Sequence, residues 1–272
     1  MTDSDQVFQT NKALWNELTA IHASGEVYRM TDFKAGVKQL DPIVRAEVGD
    51  VAGKSLLHLQ CHFGMDSLMW ARLGARVTGI DMSDAAIALA RRLSDEIGVA
   101  ATFVESNLYD LPRALDGEFD IVYTSWGALL WLADLSSWAR IVARFLAPDG
   151  FFYIAEGHPF IQVFYEEDDA TDLRVHYNYF HEDQPVYFPP GHDYADQTQQ
   201  VASPGYLWRH SVGDILNALI GAGLKIAYFH EHEVIPWKAF PFMVKEENSN
   251  YWRLPPEYPP FPLSFSLMAT KA

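Results

Sequence analysis

The chain has 272 residues, 49% of them hydrophobic, enough to close one large domain around a full core with material left for a cover. Its 36 acidic and 20 basic residues leave a formal net charge of −16, which argues against a nucleic-acid surface, because such affinity comes from lysine and arginine displacing counterions. One cysteine, Cys61, excludes an intramolecular disulfide, no apolar run approaches the roughly 20 residues that span a bilayer, and the opening MTDSDQVFQTN has no leader-like basic and apolar regions. A cytoplasmic chain acting on a small molecule is expected.

From Gln9 to about Ala20 the sequence predicts a helix, with Leu14 and Leu18 four apart and Trp15 beside them. A second helix is predicted over Phe33 to Val48. Between them HASGEVYRMTDF is polar and aromatic, a segment draped over a surface. Ser55 to Ser83 then reads as strand, tight turn, helix, strand. Leu56, Leu57 and Leu59 make a short buried strand, His62-Phe63-Gly64 turns, Leu68, Ala71 and Leu73 give the helix its apolar side, and RVTGID returns as a strand ending on Asp81. In open α/β sheets a ligand sits beyond the carboxyl ends of the strands, and an acid closing the second strand is placed to accept hydrogen bonds from two ribose hydroxyls.

Ser83 caps the next helix, whose stripe is Ala86, Ala90, Leu93 and Ile97 and whose stop is Gly98. VAATFVE is a third strand, ending at Ser106, Asn107 and Leu108. EFDIVYTS is a fourth, ending at Thr124, Ser125 and Trp126. A helix over about Leu135 to Leu146 leads to a fifth strand, FFYIAE, which delivers Glu156 and His158 to the same edge. Five buried strands with intervening helices predict an α/β, doubly wound sheet. From 157 to 205 the composition turns aromatic and acidic with little periodicity, as in a substrate cap, with a short hairpin expected from RVHYNYF and PVYF. Ser211 then caps a helix carrying Ile215, Leu216, Leu219 and Ile220, LKIAYFHEHEV is a sixth strand, and PLSFSLMATKA closes the chain as a seventh. The expected organisation is one domain: a helical cover at 1–50, a core at 51–156, a cap at 157–205, and a final helix with two strands at 206–272.

LLHLQCHFG followed by ARLGA-VTG-D-S resembles the class I S-adenosylmethionine-dependent methyltransferases, a superfamily whose first motif usually reads acid-x-G-x-G-x-G. The family acid falls on His58, its first two motif glycines on Gln60 and His62, and its third on Gly64, so three of four positions depart from the pattern. EFDIVYTS is similar to the family's fourth motif, and APDG to its turn before the fifth strand. The resemblance implies a seven-stranded, mostly parallel Rossmann-like sheet, its last strand antiparallel to the sixth, with S-adenosyl-L-methionine as cofactor. It implies cofactor contacts from Gln60, Cys61, His62, Gly64, Asp81, Met82, Ser106, Asn107, Leu108, Thr124, Ser125 and Trp126. Asn107 takes the role of binding the adenine amino group. In that family amino-terminal helices cover the site, which offers Tyr28 and Phe33 to substrate, alongside Tyr177 and Tyr179 of the cap.

Methyl transfer is a displacement that relies on positioning, and it needs a base only when the acceptor is protonated. His158, directly after the fifth strand, is the candidate base; the alternative is a structural histidine. His176, His181, His192, His210, His230 and His232 crowd the carboxyl half without a ligand spacing, so no metal is expected. Tyr165, Tyr177, Tyr179, Phe180, Tyr187 and Phe188 suit an apolar pocket or a cage for a cation, and Glu166 to Asp169 reads as a solvated turn. Two other functions stay open: a cofactor-binding protein without catalysis, favoured by the lost glycines, and a nicotinamide-dependent oxidoreductase, which Asp81 permits but the broken glycine fingerprint opposes. The sequence leaves the oligomeric state open between monomer and homodimer.

Overall fold

The computed structural model describes residues 3–25, 27–165, 169–193, 196, 198–247 and 249–272. Helix α1 (Asp3–Ser24) opens the chain and outruns its expected bounds at both ends. The helix expected over Phe33 to Val48 is two: α2 (Met30–Lys34) and α3 (Pro42–Val48). Asp41-Pro42 explains the break, because proline has no amide to continue a helix but suits its first position, and Asp41 Oδ1 accepts from the amides of Ile43 and Val44.

The core follows as β1 (Ser55–Leu59), α4 (Met65–Arg72), β2 (Arg76–Asp81), α5 (Asp84–Ile97), β3 (Thr102–Glu105), α6 (Leu111–Ala114), β4 (Phe119–Thr124), α7 (Leu135–Phe145) and β5 (Leu146–Gly157). Ser83 caps α5 by accepting from the Ala86 amide, and Gly98 ends it at φ 64°, a left-handed conformation that favours glycine. The cap segment contributes β6 (Val186–Phe188), β7 (Gly191–His192), β8 (Gln200–Val201) and β9 (Gly205–Leu207). Helix α8 (Val212–Gly221), β10 (Leu224–His232), β11 (Val244–Lys245), β12 (Trp252–Arg253) and β13 (Ser264–Lys271) complete the chain.

Seven strands form one sheet in the order β10-β13-β5-β4-β1-β2-β3. All neighbours are parallel except β13, which runs antiparallel to both β10 and β5. The last strand therefore pairs as the resemblance implied, and it also separates the sixth strand from the fifth. The cap corrects one expectation: PVYF pairs with Gly205–Leu207, not with RVHYNYF, whose only ladder contact among the described residues is a single bridge between Phe164 and Val175. Of Glu166 to Asp169, the first three residues lie outside the described ones.

Two cores flank the sheet. Against α7 and α8 lie Leu57, Leu59, Val122, Phe152, Ile154, Leu267 and Trp138, all fully buried. Against α3, α4 and α5 lie Val44, Leu56, Leu68, Trp70, Ile87, Ile121 and the rings of Tyr123 and Tyr153. Helix α1 packs Leu14 and Leu18 onto Val201 and Trp131. Its polar side holds the core through Asn16 to the Ser83 hydroxyl (2.6 Å), and holds the cap through Asn11 to both backbone atoms of Tyr206 (2.9 and 2.7 Å) and Glu17 to the amides of Ala202 and Ser203.

Candidate functional site

The loop from β1 to α4 keeps the backbone of a glycine motif without its glycines. Gln60 and His62 sit at φ 55° and 52°, and Gly64 at 74°. Left-handed conformations cost a side-chain-bearing residue about 1–3 kcal/mol each. The Cys61 amide donates to Ile80 O (2.8 Å) and the His62 amide to Asp81 Oδ2 (2.8 Å), so the loop is tied to the end of β2. Gly64 has a packing reason of its own: a Cβ there would stand 2.5 Å from the Phe103 ring.

Asp81 is 9% exposed. Besides the His62 amide it accepts from the Ser83 amide at Oδ1 (2.9 Å). Burial raises its pKa, and the backbone amides of Ser83, His62 and Met82 oppose that shift. A carboxylate has about four acceptor positions, so capacity remains for hydroxyl donors. Ser106 stands next to it, its amide bonded to Asp81 O (2.9 Å). Asn107 Oδ1 accepts from the Tyr109 amide and caps a short 3-10 turn, so the oxygen expected to meet an adenine amino group is already engaged in a local bond. Leu108 is buried beside it.

At the family's acid position His58 is fully enclosed. Nδ1 meets Ser67 Oγ (2.8 Å) and Nε2 meets Ser125 Oγ (3.1 Å), and burial drives its pKa down to about 3, so the ring is neutral. Thr124 is fully buried and Trp126 stands edge-on to Trp237 (5.9 Å). The loop between them and α7 is held by Glu156, whose buried carboxylate accepts from the amides of Gly127, Ala128, Leu129 and Gly157. Sequence reasoning brought Glu156 to this edge without its purpose; the signal was an acid opposite a glycine turn.

The structure gathers Gln60, His62, Asp81, Ser106, Asn107 and Ser125 at the carboxyl edge, and it disperses others. Cys61 points into the sheet, where a Cβ on Gly79 would lie 2.8 Å from its sulfur. Phe33 is a correction: it is 0% exposed with the Arg72 guanidinium over its ring, a core residue and not a ligand contact. Tyr28, by contrast, lies against the rings of His62 (5.7 Å) and Phe63 (5.1 Å). Tyr179 accepts from the Val212 amide and Tyr177 lies under Arg209, so both hold the cap together. His158 is 5% exposed; its Nδ1 accepts from the Phe160 amide and its Nε2 lies 3.2 Å from Glu231 Oε1. That commits the ring to capping the turn after β5, against its expected use as a base. Among the described residues no three His, Cys, Asp or Glu side chains converge as a metal requires, and no helix is long and apolar enough to cross a membrane.

Above the loop, Trp15 meets His62 (5.2 Å) and Trp131 (5.3 Å), and His22 meets His62 (5.2 Å). Burial takes the His62 pKa well below the usual histidine range, with His22 adding to the shift. Gln60 Nε2 donates to Ala128 O (3.0 Å), while Gln60 Oε1 and His62 Nε2 are buried without a hydrogen-bond partner. An unmade buried hydrogen bond costs about 1–3 kcal/mol, so two on one loop mark where a polar ligand is fitted. Together with the spare capacity of Asp81, these atoms fit an adenosyl group bearing a polar tail.

Residues 57–154 match the family described as methyltransferase domain. Over that stretch the chain is similar to the class I S-adenosylmethionine-dependent methyltransferases. A ubiquinone biosynthesis O-methyltransferase of Pseudomonas aeruginosa (strain UCBPP-PA14) is 34% identical over 109 residues, which cover 40% of this chain and 47% of the relative. The chain thus spans about half the length of the curated relatives it matches. Among solved structures, a putative S-adenosylmethionine-dependent methyltransferase from Listeria monocytogenes superposes with a TM-score of 0.58 at 21% identity, over 82% of this chain and 92% of that one. The DhpI–SAH complex gives 0.57 at 14% identity over 98% and 97%. At those identities the likeness is one of fold, a Rossmann-like methyltransferase sheet.

Proposed function

We propose that this protein transfers a methyl group from S-adenosylmethionine to a small-molecule acceptor. The observation that carries the reading is the pairing of Asp81 with a loop that retains the left-handed backbone at 60, 62 and 64 although two of the residues there are not glycine. Conformations that cost energy persist where the surroundings demand them, and here the demand is a backbone shaped around a ligand.

When bound, S-adenosylmethionine supplies an electrophilic methyl group on a sulfonium. Asp81 accepts hydrogen bonds from the ribose hydroxyls, the Ser106–Leu108 turn borders the adenine with Asn107 offering its amide nitrogen, and Gln60 Oε1 takes a donor from the polar tail. Neutral His58 locks Ser67 to Ser125 and so fixes the floor without placing a charge beneath the tail. Glu156 holds the Gly127–Leu129 turn, where the acceptor enters between core and cap. Positioning of this kind contributes about 7–11 kcal/mol in oriented systems, and the chemistry needs no base for an acceptor that is already nucleophilic. The 157–205 segment is the cover of the acceptor.

Titration of the purified protein with S-adenosylhomocysteine by calorimetry, with NADH as control, tests the proposal. Binding of NADH alone overturns it. An Asp81→Ala variant weakens S-adenosylhomocysteine by about 1–3 kcal/mol through lost charge-assisted bonds; unchanged affinity removes Asp81 from the site.

A further inference from the structure

The 233–263 segment between β10 and β13 belongs neither to the central sheet nor to the cap, yet one of its residues reaches the carboxyl edge of the sheet. The segment packs Ile235, Phe240 and Leu254 onto Ile161 and Phe164 of the turn after β5, a core of its own, and Trp237 lies against that core. From there the indole extends over the end of β5: a Cβ built on Gly157 would stand 3.2 Å from Cζ2 and Cη2 of the Trp237 ring. Gly157 is not among the residues with left-handed backbone, so the chain itself does not call for glycine there. Its bare Cα makes room for the ring.

Trp237 meets Trp126, the second residue beyond β4, at 5.9 Å between ring centres and 78° between planes. Strands β4 and β5 are parallel neighbours, so the two rings stand at the carboxyl ends of adjacent strands. Trp126 packs, with Tyr28, onto the core that contains Phe63 and Met65, which brings the pair beside the loop from β1 to α4. Both tryptophans are half-buried. Among the described residues neither indole N–H has a hydrogen-bond partner, and neither is sealed inside, as Nε1 of Trp70 and of Trp138 is.

Two rings nearly at right angles leave a crook in which a third flat ring stacks on one and meets the other edge to face, the two arrangements that aromatic pairs prefer. Charged ligands suit it less. Glu156, the carboxylate next to Gly157, has its oxygens taken by four backbone amides and offers no counter-charge to a cation. The net charge of −16 repels an anion. We infer that Trp126 and Trp237 form the wall that selects the acceptor, and that the acceptor carries a flat, uncharged aromatic ring with an oxygen or nitrogen that accepts from an indole N–H. That this ring belongs to the methyl acceptor rests on the methyltransferase reading; the aromatic wall itself does not.

Benzyl alcohol and cyclohexylmethanol, two alcohols of similar size, separate a flat ring from mere apolar bulk. Each is titrated into the full chain, free and saturated with S-adenosylhomocysteine, while the indole N–H signals are followed by heteronuclear NMR; Trp126→Phe and Trp237→Phe assign two of the eight tryptophans. Benzyl alcohol should shift the Trp126 and Trp237 signals and bind about fivefold more tightly than cyclohexylmethanol. Trp237→Leu should abolish that preference and Trp237→Phe should keep most of it, with the other indole signals in place to show that both variants fold. Equal affinity for the two alcohols, or shifts confined to other indoles, overturns the inference, while S-adenosylhomocysteine binding leaves the proposed function standing. Selective binding of tetramethylammonium in place of benzyl alcohol overturns it as well, in favour of a cation cage. Failure of S-adenosylhomocysteine to bind overturns the proposed function instead, and the titrations of the free protein then decide the aromatic wall alone.

Discussion

The two faces of the central sheet are built on different principles. Towards α7 and α8 it is dry: Leu57, Leu59, Val122, Phe152, Ile154 and Leu267 meet Trp138, Val142 and Leu219. Towards α3 and α4 a row of ring-bearing residues crosses the strands in register, His58 beside Tyr123, Tyr123 beside Tyr153. These rings lie 4.6 and 6.2 Å apart, and the tyrosine hydroxyls reach Asp66 and Glu47 on the helices above. Burial of apolar area gives stability without direction, whereas a buried polar group must be met at a set distance and angle. The first face supplies free energy and the second holds groups in place.

The contrast can be broken by truncating one face at a time. Trp138→Ala on the dry face should cost about 3–5 kcal/mol in urea unfolding while S-adenosylhomocysteine affinity stays as it was; a change in that affinity would mean that the faces are not separable. The next effect belongs to the polar face and depends on pH. Burial takes His58 from its ordinary 6.5 to about 3. Below pH 6.5 the unfolded chain binds a proton that the folded chain refuses, so stability falls as pH drops towards 3, by up to about 1.4 kcal/mol per pH unit, and levels off below that. Unfolding curves of a His58→Gln variant should lose this part of the slope, and an unaltered acid limb would assign it elsewhere. Ser211→Ala, at the start of α8, removes a capping box and should cost about 1 kcal/mol wherever it is read. Smallest is Tyr153→Phe, which leaves Glu47 still bonded to His230 and should cost about 0.5–1.5 kcal/mol; a larger loss would show that the polar row is cooperative.

The parts of this molecule that could be read in advance are those whose causes are local. Alternation, helical repeats and caps placed the strand–helix–strand unit, Asp81 at its end, Ser83 and Ser211 at helix starts, and the sheet built on them. Asp41-Pro42 was an equally local signal for the split between α2 and α3, overridden by an apolar repeat that runs across it. The rest depends on distant partners. Tyr123 meets Asp66 across 57 positions and Tyr153 meets Glu47 across 106, and nothing in either neighbourhood announces the other. PVYF chose Gly205–Leu207 over a nearer segment because the strand it needed lay at the far end of the cap. His158 precedes a proline-opened turn, and that position, more than its place after a strand, decides what its ring does.

Helix α1 is fastened on one side to the turn at Ser83 and on the other to the strands around Tyr206. Freeing the helix from one neighbour leaves it tethered to the other, so one element staples the core to the cap segment. The Tyr206 amide, which donates to Asn11, and the Ala86 amide, which donates to Ser83, should therefore show matched hydrogen-exchange rates.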